Sequence, residues 1–137
     1  MDRPDPHPRE VFDRLGRKGP ETRIAVVGAS NNPEKYGNII VRNLASKGYT
    51  VLPIHPNESV IAGLTAHASL SAAPGPIDIV DMVTPPHVTA RVLDEVAALG
   101  LPAVWLQDGS FDDAVLEKVA GAPYLTVHHA CIMVASR

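Results

Sequence analysis

Between Arg23 and Pro56 the chain reads RIAVVGASNNPEKYGNIIVRNLASKGYTVLPIHP, and this stretch admits few folds. An apolar run, Ile24 to Val27, ends in Gly28-Ala29-Ser30. After a polar segment containing Pro33, an amphipathic helix is predicted, with Tyr36, Ile39, Ile40, Asn43, Leu44 and Lys47 along its inner side. Gly48 stops it, and a second apolar strand runs from Tyr49 to Ile54. This is a strand–turn–helix–strand unit. Its turn of small residues lets a ligand approach the backbone, and the exposed N–H groups of the helix start suit a phosphate or pyrophosphate. Gly28, Ala29 and Ser30 are therefore the first candidate binding residues.

The pattern is not the dinucleotide fingerprint G-x-G-x-x-G. The next glycine after Gly28 is Gly37. The acidic residue that would hold a ribose after the second strand is also missing, because that region reads Pro53-Ile54-His55-Pro56-Asn57. NAD is not the expected ligand. Ser30 either caps the helix or bonds a phosphate, or does both. Lys35, in the first helical turn, opposes the helix dipole; it is either a phosphate partner or a solvated surface lysine. Asn31 and Asn32 are ligand amides or ordinary turn residues.

The remaining elements alternate in the same way. Residues 1–8 are rich in proline and charge and read as a loose arm. Glu10 to Lys18 reads as a short helix with Val11, Phe12 and Leu15 turned to the domain. A short strand or turn is expected at Ile61 to Leu64, and a helical turn near Ser69 to Ala73. A third strand covers 77–83, and Thr84-Pro85-Pro86 starts a helix, with Thr84 as N-cap. Val88, Val92, Leu93, Val96 and Ala97 form its buried stripe, and Gly100 ends it. Strand four is Pro102 to Leu106, a capping-box-like Ser110-Phe111-Asp112-Asp113 opens a helix to about Ala120, and strand five is Tyr124 to His128. Such alternation implies parallel strands joined by right-handed crossovers. The expected fold is α/β: a single Rossmann-like domain over 21–137, a mainly parallel five-stranded sheet flanked by helices, preceded by an arm and short helix at 1–20. Ligands of such sheets lie beyond the carboxyl ends of the strands.

Composition narrows the partners. A chain of 137 residues is enough for one domain with a real core. A net charge of −3 with no basic run argues against nucleic acid and anionic membrane. No apolar stretch approaches ~20 residues, so no span is expected. No signal-peptide core opens the sequence, and a single cysteine excludes an internal disulfide, so a cytoplasmic protein is expected.

Among the other notable residues, Trp105 reads as core. Asp78 and Asp81, three apart in a strand, point to opposite faces and form no carboxylate pair. A buried aspartate there would need partners. Cys131 reads as a small buried residue, with a nucleophile assisted by His128 or His129 as the alternative. His55, His87, His128, His129 and Cys131 all fall at strand ends. Their spacing matches no compact zinc motif, and they read as scattered loop residues rather than a metal site.

Five pieces taken together carry a resemblance: VVGAS at 26–30 with Pro33, GYTVLPIHP at 48–56, IDIVDMVTPP at 77–86, AVWLQDG at 103–109 and ACIMV at 130–134. In order and spacing they resemble the small stand-alone CoA-binding domain family, related to the N-terminal domain of the succinyl-CoA synthetase α subunit. The resemblance spans about 22–135. It implies a Rossmann-like fold that binds coenzyme A or an acyl-CoA. Gly28, Ala29 and Ser30 would face phosphates, with Lys35 available to neutralise charge. Pro53, His55 and Pro56 would flank the strand-two loop. Thr84, Pro85 and Pro86 would lie beside the nucleotide. Gln107 and Gly109 would follow strand four, and Cys131 the last strand. Three positions depart from the family pattern: His55 stands where asparagine is usual, and Thr84 and Ala130 stand where arginine is. Related ligases keep their catalytic histidine and nucleotide-grasp domain elsewhere, so the resemblance implies a binding module with no catalytic residue of its own. It would act with a partner enzyme or as a homo-oligomer. The alternatives are a small CoA- or nucleotide-linked enzyme using Cys131 and an NAD(P)-binding redox regulator.

Overall fold

The computed structural model describes residues 5–137. In chain order the elements are α1 (Arg9–Gly16), β1 (Arg23–Val27), α2 (Tyr36–Ser46), β2 (Thr50–Ile54), β3 (Val60–Ile61), β4 (Leu64–Thr65), β5 (Ile79–Met82), α3 (Pro86–Leu99), β6 (Ala103–Leu106), α4 (Asp113–Ala120), β7 (Leu125–His128) and α5 (Ile132–Ala135). Five strands form one parallel sheet in the order β2-β1-β5-β6-β7, and β3 and β4 pair as a small antiparallel hairpin. The fold is the expected Rossmann-like α/β domain.

The near-continuous apolar runs of β1, β5 and β6 follow from burial on both faces, as parallel sheets require. One face carries Ile24, Val26, Ile79, Trp105 and Val127 and packs on α1, α2 and α5 through Val11, Leu15, Ile40, Val41, Leu44 and Ile132. The other carries Ala25, Val27, Val80, Met82, Val104 and Leu106 beneath Leu93 and Val96 of α3 and Val115 of α4. Trp105 is fully buried; its indole donates to the Ala130 carbonyl at 2.9 Å and packs against Phe12.

Chain order reverses between β1 and β5. From β1 the chain moves outward through α2 to β2, then returns to the other side of β1 as β5. The crevice beyond the carboxyl ends of β1 and β5 is thus the switch point where such sheets bind ligands.

Several local expectations are corrected. Tyr36 is 66 % exposed rather than on the inner side of α2, which buries Gly37, Asn38, Ile40, Val41 and Leu44. The helix is turned so that Gly37 can press on the β1–α2 loop. In α3 the N-cap is Pro85, not Thr84; the Thr84 hydroxyl instead pairs with buried Thr89 at 2.8 Å. Ala97 is exposed, and Thr89 takes a buried place with Leu93 and Val96. Residues 132–135, not expected to be helical, form α5. The strand or turn expected at Ile61 to Leu64 is present, as the turn region of the β3–β4 hairpin. Residues 5–8 are not loose: the His128 N–H donates to the Pro6 carbonyl at 3.1 Å across β7, and Pro8 is buried. The rest of the expected arm lies outside the described residues. No described helix is long and apolar enough to cross a membrane.

Candidate functional site

The first strand-to-helix turn is built on two glycines in contact. Gly28 has a φ of +93°, and a Cβ placed there would meet the Val83 carbonyl oxygen at 2.8 Å. A Cβ on Gly37 would lie 2.1 Å from the Gly28 carbonyl oxygen, inside any allowed contact. Gly37 therefore does for this turn what a closely packed glycine does in a nucleotide-binding strand–helix unit. The start of α2 is drawn down onto the end of β1, and no side chain caps it. Lys35, Tyr36 and Gly37 at its start line the crevice, and a helix start with no side-chain acceptor suits an anion.

Polar side chains hold the loop in place. Buried Asn38 donates its amide to the Ser30 carbonyl at 2.9 Å, and its oxygen accepts from Arg42 at 2.6 Å. The Ser30 hydroxyl accepts from the Asn32 N–H at 3.0 Å, so it closes its own turn and does not cap α2. Asn32 likewise accepts from the Glu34 N–H. Asn31 ties the loop to the hairpin: it donates to the Val60 carbonyl at 2.8 Å and accepts from the Ala62 N–H at 3.2 Å.

Above this turn lies an open cleft of about 710 Å³, lined by Gly28, Ala29, Ser30, Lys35, His55, Thr84, Pro85, Pro86 and Gly109 among others. A smaller cavity of about 180 Å³ adjoins it and shares Gly28, His55 and Thr84, adding Pro56. The loops after β1, β2, β5 and β6 thus converge. Three expected residues fall elsewhere. Pro53 sits within β2, in register with Val26. Gln107 is buried, its oxygen accepting from the Ile132 N–H at 3.0 Å, which fixes the start of α5. Cys131 is half-buried; its sulfur accepts from the Gln107 amide at 3.6 Å and lines a separate apolar cavity with Phe12 and Val134.

The cleft also contains residues the sequence did not mark. Tyr36 stands exposed at its rim beside Glu34 and Asp108, and Ser110 is buried under it, its hydroxyl donating to the Gln107 carbonyl at 2.6 Å. The two-residue contact of Gly28 and Gly37 had one available signal, a glycine one step into the predicted helix.

The other polar groups are engaged in local contacts. Among the described residues no three histidine, cysteine or carboxylate side chains gather as metal ligands. His128 and His129 face each other, Nδ1 to Nδ1 at 2.6 Å. Burial holds the His128 pKa below its ordinary value, with smaller effects from His129 and His7. His55 Nδ1 accepts the N–H groups of Asn57 at 3.0 Å and Glu58 at 3.1 Å. Asp78 is paired with Arg14 at 2.8 Å and accepts from the Arg23 N–H.

Comparison with known proteins agrees with this geometry. Residues 22–137 match the family model of a CoA binding domain. A conserved hypothetical protein from Pyrococcus furiosus, of known structure, is 42 % identical; the match covers 82 % of this chain and 97 % of that one, with a TM-score of 0.72. The uncharacterized protein YneT of Bacillus subtilis is 28 % identical over 131 residues, covering 96 % of this chain and 95 % of YneT. The α subunit of an ADP-forming acetate–CoA ligase II from Pyrococcus furiosus is 32 % identical over 91 residues, 66 % of this chain but 20 % of the ligase subunit.

Proposed function

The chain belongs to the CoA-binding domain family, and from that premise we propose that it binds coenzyme A or an acyl-CoA as a module without chemistry of its own. The observation that carries this reading is the uncapped start of α2, held against Gly28 by Gly37 and opening into the cleft at the sheet's switch point. The pyrophosphate lies over Gly28, Ala29 and Ser30, with Lys35 as its cation. The adenosine end occupies the smaller cavity between His55, Pro56 and Thr84. The pantetheine arm leaves past Pro85, Pro86 and Gly109. In this arrangement Gln107 fixes the start of α5 and Cys131 accepts from its amide, and neither lines the cleft.

The ligand serves a partner enzyme or a second copy of the chain, and the setting is the cytoplasm. Calorimetric titration with CoA, acetyl-CoA, NAD and NADP tests the reading. Saturable binding of CoA or acetyl-CoA, with neither dinucleotide competing, is expected. Binding of NAD or NADP in preference to CoA would replace the module with a dinucleotide regulator.

A further inference from the structure

The charges around the cleft are sparse and mostly of the wrong sign for a many-phosphate ligand. Among the described residues, Lys35 is the only lysine or arginine lining either cavity. It stands at the α2 N-cap, beside the place of the pyrophosphate. Glu34 and Asp108 line the same cavity, and Glu95 lines the smaller one. The Glu95 carboxylate accepts from the Leu70 N–H at 3.2 Å and the Ser71 hydroxyl at 3.1 Å, so it is fixed there as an acceptor. Arg42, on the same helix as Lys35, is committed to Asn38 and the Pro33 carbonyl. The Nδ1 atom of His55 is already used as an acceptor by the two N–H groups after it. The Glu58 carboxylate lies over the same loop, 3.3 Å from the Asn31 amide.

A phosphate monoester gains from a protein chiefly through charge-assisted hydrogen bonds. A site that offers no such partner cannot discriminate for the group, because nothing is left unpaired when the group is missing. Resting on the coenzyme A reading above, we infer that the site does not recognise the ribose 3′-phosphate. Its ligand class is the adenosine diphosphate–pantetheine body shared by CoA and dephospho-CoA. One pyrophosphate is served by Lys35 and the start of α2. The adenosine end has Glu95, His55, Ser69 and Thr84 for polar neighbours and, among the described residues, no lysine or arginine, so the extra phosphate points to solvent.

The test is a pair of calorimetric titrations of the whole chain, with CoA and with dephospho-CoA, in the same buffer at moderate salt. Dissociation constants within about threefold of one another, or tighter binding of dephospho-CoA, are expected. Saturable binding of both with CoA about tenfold tighter or more would overturn this inference and leave the coenzyme A reading standing. Binding of neither would remove that reading, and this inference with it.

Discussion

Asp81 lies mid-sheet, in register with Val26 and Trp105, fully buried, and neither carboxylate oxygen has a hydrogen-bond partner among the described residues. Burial raises its pKa well above the ordinary 3.8. The folded chain therefore keeps this proton at pH values where the unfolded chain has lost it. Stability then falls as pH rises from about 4 toward the raised pKa, because the folded state binds more protons. Asp81→Asn removes that dependence. In urea melts it is expected to be more stable than the native chain at pH 7, on the order of 1–3 kcal/mol, with the gap closing toward pH 4. A gap of constant size across that range would contradict the account. The sequence placed Asp81 on a face of its own, but a missing partner depends on what packs opposite and is not written in the local pattern. Gly37 is a second case at this scale. Its Cβ position collides with the backbone of Gly28, so Gly37→Ala is expected to cost more than about 2 kcal/mol in thermal unfolding, although alanine's higher helix propensity acts in the opposite direction. An unchanged melting temperature would show that the turn does not need this contact.

Helix and strand types were legible because periodicity reports burial; ends and rotations were less so, because they are set by neighbours. The α4 start was legible to within two residues, but the cap is Asp112 and not Ser110 of the expected box, whose hydroxyl goes to the Gln107 carbonyl. Asp112 accepts from the Val115 N–H at 2.9 Å, and Asp112→Ala should lower stability by about 1 kcal/mol in denaturant titration. An unaltered midpoint would mean the cap is dispensable. The α2 and α3 starts are a further case. Ser30 and Thr84 have the composition of caps, but the caps are Lys35 and Pro85, neither with a side-chain bond. The hairpin of β3 and β4 is too short to persist alone, and Asn31 fastens it to the glycine loop. Asn31→Ala is therefore expected to raise amide exchange in residues 60–65 selectively, at a cost of about 1 kcal/mol overall. Uniform exchange changes across the sheet would contradict a local clamp.

For the whole molecule, strand alternation was enough to give a parallel sheet, and the reversal of order between β1 and β5 brings the loops after β1, β2, β5 and β6 to one crevice. That convergence was readable from the sequence because strand ends carry the small and polar residues. The separation of Cys131 and Gln107 from the crevice was not, because it depends on α5, a four-residue helix with no periodicity to announce it. The central claim is that coenzyme A sits at the start of α2. Amide chemical-shift mapping during a CoA titration tests it most directly. The account predicts the largest shifts at Gly28 to Ser30, Tyr36, Gly37 and Thr84, saturating together. Shifts centred instead on Phe12, Cys131 and Val134, around the separate apolar cavity, or no shifts at all, would contradict it.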